Sequence, residues 1–296
     1  MEGVSGVSLS KWDVVDLPTA RLLGEFEPQS MEWLELRRNG VGGSDVGAIL
    51  GLSPWVSPFT LWARKLELIA EQDSSPAMRA GSFFERPIKE FWLQENPGWQ
   101  ILETGTWVSK EHEWAVANPD GILVDPDGEL MLLEVKTSRF PVSELPVYYR
   151  AQVLWYLWIL GLKQAKVVYM SGFELSEFDV LFDEFEQAAN FDVVSRWWDY
   201  VQSGEQPDWD GATSTLETVR EMHPDIDVSA SVELGVLGQD LLLKSEELAR
   251  VESDVRLLKC KVMDAMGSAK SGLVDGVERV VRAARKGGSP YLTMKG

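Results

Sequence analysis

Hydrophobic and polar positions in the first two thirds of the chain change several times between a helical and a strand-like spacing. Apolar residues three and four positions apart predict helices over residues 31–38, 60–70, 78–95, 148–162 and 181–201. Short runs bounded by turn residues predict strands over 99–108, 114–117, 121–124, 130–136 and 165–170. This order of elements predicts an α/β fold in which helices flank a small mixed β-sheet.

The same pattern divides the chain into segments. Residues 1–30 mix Gly, Ser and Pro with scattered apolar positions, which predicts a variable leader before a main domain over 31–205. Loop composition over 206–230 predicts a linker. An apolar seam then predicts a long amphipathic, coiled-coil-like helix over 231–267, and an Asp-Gly turn signal favours a hairpin in the tail, 268–296. The seam could pack on the main domain, on a second protomer or on a partner protein.

Charge and cysteine content exclude several classes of function. The chain has 28 Lys and Arg against 47 Asp and Glu, a net charge of −19, so any nucleic-acid contact needs a local basic pocket. The single cysteine, Cys260, excludes an internal disulfide framework and a cysteine-based zinc site. No apolar run approaches roughly 20 residues and no signal-peptide pattern begins the sequence, so we expect no membrane segment and a cytoplasmic location in a bacterial host cell.

The segment Asp125-Pro-Asp-Gly128 is a strong hairpin signal. Its proline suits the second position of a type I turn and its glycine the left-handed position that follows, so we predict a three-residue loop with a glycine bulge. In that register Asp120 stands opposite Glu134, with Cβ atoms roughly 5 Å apart. Lys136 points to the same face. A loop of two or four residues would put the two acids on opposite faces.

Two adjacent carboxylates and a lysine at the end of an apolar strand indicate a cation site. Buried like charges are costly, and a divalent cation relieves that cost. Oxygen ligands without Cys or His favour Mg²⁺ or Mn²⁺, and the backbone carbonyl of Val135 offers a further oxygen. The alternative is a surface hairpin with a cross-strand pair between the lysine and an acid.

Three further polar residues lie in otherwise apolar helices. Glu85 is in the middle of the helix predicted over 78–95, where the alternative is a solvated side chain. Gln152 and Tyr156 lie one turn apart on an aromatic-rich helix. They are either hydrogen-bonding groups of a site or polar groups that neighbouring backbone satisfies.

Five segments in this order resemble the YqaJ/lambda-exonuclease family of phage recombination nucleases, within the PD-(D/E)XK superfamily. The segments are residues 37–45 (RRNGVGGSD), 81–85 (GSFFE), 118–121 (NPDG), 134–136 (EVK) and 152–156 (QVLWY). The resemblance implies a PD-(D/E)XK nuclease core. It also implies Mg²⁺-dependent digestion of double-stranded DNA from a 5′ end, which leaves a 3′ single strand.

The resemblance implies a catalytic group around the predicted hairpin. Asp120 and Glu134 would be metal ligands, with Glu85 acting on a metal directly or through its water. Lys136 would orient the attacking water and stabilise the charge that develops on the phosphate.

Further roles implied by the resemblance concern phosphate contacts. Gln152 would hold the water or the scissile phosphate, with Tyr156 as its support. Arg37 and Ser44 match positions that grip the 5′-terminal phosphate, and Asn118 matches another phosphate contact. We also predict Ser44 as the N-cap of a helix that follows the glycine-rich turn, where free N–H groups suit an anion.

Three hypotheses of function follow. The first is a double-stranded DNA exonuclease of phage-type recombination, with a single-strand annealing protein as partner and, by family resemblance, a ring-shaped trimer. The second is a related endonuclease or end-processing enzyme. The third is a catalytically silent scaffold that binds DNA ends, which the intact acid cluster disfavours.

Overall fold

A computed structural model describes residues 9–14, 16–27, 30–72 and 74–295. The predicted leader is therefore described only in part, because residues 1–8, 15, 28 and 29 lie outside the described residues. The chain divides into two compact units, Met1–Asp225 and Ile226–Gly296.

The first unit contains mixed β-sheets and helices. In chain order its elements are β1 (Ser10–Lys11), β2 (Ala20–Gly24), α1 (Met31–Arg38), α2 (Gly43–Ile49), α3 (Pro58–Lys65), α4 (Pro76–Glu95), β3 (Gln100–Glu103), β4 (Thr106–Ser109), β5 (Val116–Ala117), β6 (Gly121–Val124), β7 (Leu130–Ser138), α5 (Val147–Leu160), β8 (Gln164–Ser171), β9 (Glu174–Leu181), α6 (Glu184–Ser203) and α7 (Thr213–Met222). The larger sheet has the order β1-β3-β6-β7-β8-β9, and a smaller sheet has the order β2-β4-β5. Parallel pairing of β7 with β8 and antiparallel pairing of β6 with β7 confirm the predicted mixed α/β architecture.

The β6–β7 hairpin has the predicted loop and register. The N–H of Asp125 donates to the carbonyl of Glu129 at 3.1 Å, and Gly128 adopts the left-handed conformation with φ 88°. The Asp125 carboxylate also accepts the N–H groups of Asp127 and Glu129, which fixes the loop. Gly121 pairs with Leu133, so the next step of the register places residue 120 opposite residue 134.

Helices cover both faces of the larger sheet. Side chains of β7 alternate, so Leu132 joins the core that contains α5, whereas Leu133 joins the core that contains α4. By the same alternation residues 134 and 136 face α5. Helix α5 is buried from Ala151 onwards apart from Trp158, and Gly161, with a φ of 67°, provides its left-handed C-cap. The hairpin therefore presents its polar residues towards the buried part of this helix.

Three elements differ from the sequence prediction. The strand predicted over 99–108 is two strands, β3 and β4, which belong to different sheets. The helix predicted to reach residue 70 ends at Lys65, because Glu67 takes a positive φ of 57° and the N–H of Leu68 bonds back to the carbonyl of Ala63. Residues 174–181 form strand β9, and α6 begins only after it. The acidic edge strand β9 has weak β-propensity and is held by its long ladder with β8.

The predicted leader and linker both contain regular elements. Strand β1 pairs with β3 at the edge of the larger sheet, and β2 pairs with β4. Helix α7 lies within the segment 206–230. Hydroxyl groups join it to α3, with Thr218 donating to Thr60 at 2.9 Å and Ser57 bonded to Thr215 at 2.7 Å. Because these contacts join residues far apart in sequence, local composition does not reveal them.

The second unit consists of a long helix and a small antiparallel sheet. Its elements are α8 (Gly235–Met266), β10 (Ser271–Val274), β11 (Val277–Ala283) and β12 (Tyr291–Met294). The long helix and the hairpin of the predicted fold are therefore present, with Asp275 and Gly276 in left-handed conformations at the turn. Within this unit no residue of α8 is buried. Among the described helices of the chain, none is both long and apolar enough to cross a bilayer.

Candidate active site

The end of the β6–β7 ladder brings together the acids predicted from the hairpin. The N–H of Val135 donates to the Asp120 carboxylate at 2.7 Å instead of to a strand carbonyl. Glu134 is only 2% exposed, and its Oε1 accepts from Lys136 Nζ at 2.5 Å and from Gln152 Nε2 at 2.6 Å. Asp120, Glu134, Lys136 and Gln152, which were predicted from separate segments, thus form one cluster.

Helix α5 positions the amide and the phenol on one face. Gln152 Nε2 lies 3.4 Å from the Tyr156 hydroxyl oxygen, one helical turn further on. The Tyr156 ring lies directly under α2, where a Cβ built on Gly43 would be 2.4 Å from the ring. Burial, with the nearby charges of Glu134 and Asp120, raises the pKa of Tyr156, so the phenol stays neutral and can donate a hydrogen bond.

Glu85 approaches the cluster from α4 and is paired with a lysine that sequence reasoning missed. Lys89 Nζ lies 2.5 Å from Glu85 Oε1, and Lys89 is 4% exposed. The sequence does contain a signal for this pair, because a glutamate four residues before a lysine on a helix favours an ion pair. A cavity of about 340 Å³ is lined by Glu85, Lys89, Asn118 and Asp120, together with Lys11, Glu25, Glu103, Thr104 and Pro119.

The cluster holds an excess of negative charge. Burial raises the pKa of Asp120 well above its usual value, and the charges of Glu134 and Glu85 raise it further. Burial also raises the pKa of Glu134, although Lys136 opposes this. For Lys136 burial acts to lower the pKa, but Glu134 and Asp120 outweigh burial and raise it. When ionised, three carboxylates face only two ammonium groups.

The donor set fits a hard divalent cation. Glu134 Oε2 is buried and has no hydrogen-bond partner within the described part of the chain. Asp120 and Glu134 would hold Mg²⁺ or Mn²⁺ through carboxylate oxygens, with the Val135 carbonyl as a further predicted ligand. Across residues 9–14, 16–27, 30–72 and 74–295, no three His, Cys, Asp or Glu side chains converge on one point. Oε1 of Glu85 is paired with Lys89, and a contact of Glu85 with a metal, directly or through water, stays a prediction.

A second cluster surrounds Arg37 at the end of α1. Its guanidinium lies 3.0 Å from Asp45 Oδ1 and 3.5 Å from Ser44 Oγ. Lys65 Nζ donates to Asp45 Oδ2 at 2.9 Å and to the carbonyls of Arg37 and Gly40 at 2.6 and 2.8 Å. The buried Lys65–Asp45 pair therefore fixes the turn that carries Arg37 and Ser44.

The predicted N-cap role of Ser44 is wrong by two positions. Helix α2 begins at Gly43, and Gly42 is its extended N-cap residue, whose N–H donates to Asp45 Oδ2 at 3.1 Å. Burial acts to raise the pKa of Asp45, but Lys65 and Arg37 outweigh it and hold the pKa below its usual value. The Ser44 side chain is thus left to face Arg37.

Asn118 makes its side-chain hydrogen bond outside the cluster around Arg37. Its side chain is exposed, and its Oδ1 accepts from Thr106 Oγ1 at 3.1 Å. The residue lines the same cavity as Asp120 and Glu85. A phosphate contact by Asn118 stays a prediction.

Comparisons with known proteins find a matching family profile and a similar bacterial protein. Residues 32–163 match the profile of the YqaJ-like viral recombinase domain. Over 264 residues the chain is 29% identical to the uncharacterized protein YqaJ of Bacillus subtilis strain 168. The aligned region covers 82% of this chain and 80% of that protein.

Two solved structures are similar to part of the chain. One is the alkaline exonuclease LHK-Exo of Laribacter hongkongensis, solved in complex with dAMP. It is 18% identical to this chain, and the match covers 59% of this chain and 94% of the exonuclease, with a TM-score of 0.48. A phage-related exonuclease from Haemophilus somnus 129PT is 12% identical and covers 58% of this chain and 99% of its own, with a TM-score of 0.42. At TM-scores below 0.5 these likenesses assign no function to this chain.

Replacing Asp120 with Asn is expected to raise the thermal unfolding midpoint at pH 7 without divalent cations. Because the folded-state pKa of Asp120 is raised above its unfolded value near 3.9, the ionised carboxylate destabilises the fold above the folded pKa. The cost disappears below the unfolded pKa, where both states are protonated. Asn keeps an acceptor for the N–H of Val135. We expect a gain of about 2–4 °C, the effect of about 1 kcal/mol.

Circular dichroism melts from pH 4 to pH 8 in EDTA test this expectation. The gain should fade towards pH 4, and Asp127→Asn in the exposed hairpin loop is the matched control. Added MgCl₂ should raise the midpoint of the wild type but not of Asp120→Asn. A midpoint for Asp120→Asn at or below the wild-type value at pH 7 would contradict the assigned charge excess.

Proposed function

We propose that this chain, whose residues 32–163 match the profile of the YqaJ-like viral recombinase domain, is a divalent-metal-dependent nuclease. Its substrate is the end of double-stranded DNA, and it removes nucleotides in the 5′ to 3′ direction and leaves a 3′ single strand. The one observation that carries this proposal is the buried Glu134 carboxylate. It is held by Lys136 and Gln152 and has one oxygen without a hydrogen-bond partner in the described chain.

The chemistry of phosphodiester hydrolysis matches the groups around Glu134. A bound Mg²⁺ or Mn²⁺ would stabilise negative charge on the phosphate. The Lys136 ammonium, 2.5 Å from Glu134, supplies a fixed positive charge for the attacking water and the developing phosphate charge. Gln152 fixes the carboxylate through its amide N–H and is itself backed by Tyr156. These residues therefore bind and orient the reactants.

A terminal phosphate fits the cluster around Arg37. The guanidinium is only partly buried and is held by Asp45, so its position is fixed while part of it stays accessible. Ser44 Oγ beside it offers a hydroxyl donor. Gly43, next to Ser44 in the chain, packs against Tyr156 and Gln152, which ties this pocket to the acid cluster. Recognition of a 5′ phosphate and cleavage beside it can thus share one site.

Two partners follow from the resemblance rather than from contacts in this chain. A 3′ single strand is the substrate of an annealing protein, so we propose such a protein as the consumer of the product. The ring-shaped trimer stays a prediction that the size of the assembly in solution would test.

Products from end-labelled DNA test the function. Linear 5′-phosphorylated duplex and covalently closed circles are incubated with Mg²⁺ and, in parallel, with EDTA. We expect progressive loss of the linear substrate from its 5′ ends with Mg²⁺ only. Cutting of the circles would indicate an endonuclease, and retention of DNA without cutting would indicate a scaffold. Either result would contradict the proposal.

Lys136→Ala is expected to lower the rate of DNA hydrolysis by at least about 100-fold, because it removes the fixed positive charge at the reacting phosphate. Lys166→Ala is the matched control, since Lys166 lies on the neighbouring strand and pairs with Glu177 and Asp179. Far-ultraviolet circular dichroism would verify the fold of both variants. Hydrolysis by Lys136→Ala at the wild-type rate would remove Lys136 from the mechanism.

Arg37→Ala is expected to reduce the preference for 5′-phosphorylated over 5′-hydroxyl ends by about tenfold. The loss corresponds to one charge-assisted hydrogen bond of about 1.5 kcal/mol. Arg38→Ala is the control, because Arg38 pairs with Glu67 instead. Initial rates on the two kinds of end give the preference for each variant. An unchanged preference in Arg37→Ala would exclude Arg37 from the phosphate pocket.

A further inference from the structure

The Lys136 ammonium contacts an aromatic ring that the proposed mechanism has not used. Lys136 Nζ lies 4.7 Å from the centroid of the Tyr149 ring, within the range of a cation–π contact. On its other side the same ammonium lies 2.5 Å from Glu134 Oε1. The lysine is thus held between a carboxylate and the face of a ring.

Tyr149 belongs to the same face of α5 as the other site residues of that helix. It precedes Gln152 by three positions and Tyr156 by seven, so the three side chains follow one another along the helix. Tyr149 stands in the first turn of α5, and its N–H donates to the carbonyl of Pro146 at 2.9 Å. One helix face therefore supplies contacts to both Glu134 and Lys136.

Neighbouring rings fix the Tyr149 side chain. The Tyr148 and Tyr149 rings meet edge to face with centroids 4.5 Å apart, and the Tyr169 ring lies 6.4 Å away. Tyr169 is the direct neighbour of Lys136 in the parallel β7–β8 register. The Tyr149 ring therefore contacts a ring on its own helix, that of Tyr148, and a ring on strand β8, that of Tyr169.

A lysine side chain needs such a second contact to hold one position. Its ammonium is a compact charge on a flexible four-carbon stem, and a single carboxylate fixes only one of its three donors. A ring face attracts the charge without accepting a conventional hydrogen bond, so it restrains the ammonium while leaving N–H donors for a phosphate or a water.

We propose that Tyr149 is a positioning residue for Lys136, whose ring face holds the ammonium at the edge of the acid cluster during DNA hydrolysis. The inference rests on the proposed function. The ring face, rather than the hydroxyl, carries the effect, which separates Tyr149→Phe from Tyr149→Leu.

Steady-state kinetics on linear 5′-phosphorylated duplex with Mg²⁺ test the proposal. We expect Tyr149→Leu to lower kcat by about tenfold with KM for DNA within about twofold of the wild type, the effect of one cation–π contact. Tyr149→Phe should retain at least about half of kcat. Tyr291→Leu, the same change at a tyrosine of strand β12 that is 47% exposed, is the control. A wild-type kcat for Tyr149→Leu would overturn the proposal, as would an equal loss in Tyr149→Phe.

A second readout does not depend on activity. In protein labelled with ¹³C-lysine, the ε-methylene protons of Lys136, assigned with Lys136→Arg, should show a ring-current shift. The shift should persist in Tyr149→Phe and vanish in Tyr149→Leu. Its absence from the wild type would overturn the contact whether or not the protein cleaves DNA. A wild-type protein that shows the shift but cleaves no DNA would contradict the proposed function and not the contact.

Discussion

The antiparallel register of β6 and β7 is the constraint on which the candidate site depends. The loop between Asp125 and Glu129 has three residues, and hydrogen bonds to the Asp125 carboxylate fix this length. A slip of one residue would send Asp120 and Glu134 to opposite faces of the sheet. With the observed register both acids and Lys136 face α5, so Gln152 can reach Glu134. One local turn thus decides whether a cation site exists.

The two clusters differ in the balance between their acidic and basic side chains. Around Arg37, the buried Asp45 has two cationic partners and its pKa is lowered, which is typical of a stabilising network. At the hairpin the pKa values of Asp120 and Glu134 are raised, so their ionised forms oppose folding at neutral pH. Proteins accept such a cost where function requires it. The charges around Asp45 are therefore balanced within the cluster that carries the proposed phosphate pocket, whereas the hairpin acids keep an excess of negative charge that a bound cation would relieve.

Sequence reasoning predicted those features that local chemistry decides. The turn at Asp125 and the alternation of β7 are local, and they led to the acid pair. Strand β9 and helix α7 were missed, because pairing with β8 and hydroxyl contacts with α3 stabilise them across the chain. The partners of charged groups were missed for the same reason. Lys65 bonds to Asp45 twenty positions away, and Tyr149 meets Lys136 only once α5 packs on the sheet.

The central claim is that the hairpin acids bind a divalent cation. The most direct measurement is an anomalous difference map from crystals of the wild-type protein soaked in MnCl₂. The account predicts a manganese peak within coordination distance of carboxylate oxygens of both Asp120 and Glu134, and its loss in Asp120→Asn crystals. A well-ordered map with no peak at these two carboxylates would contradict it.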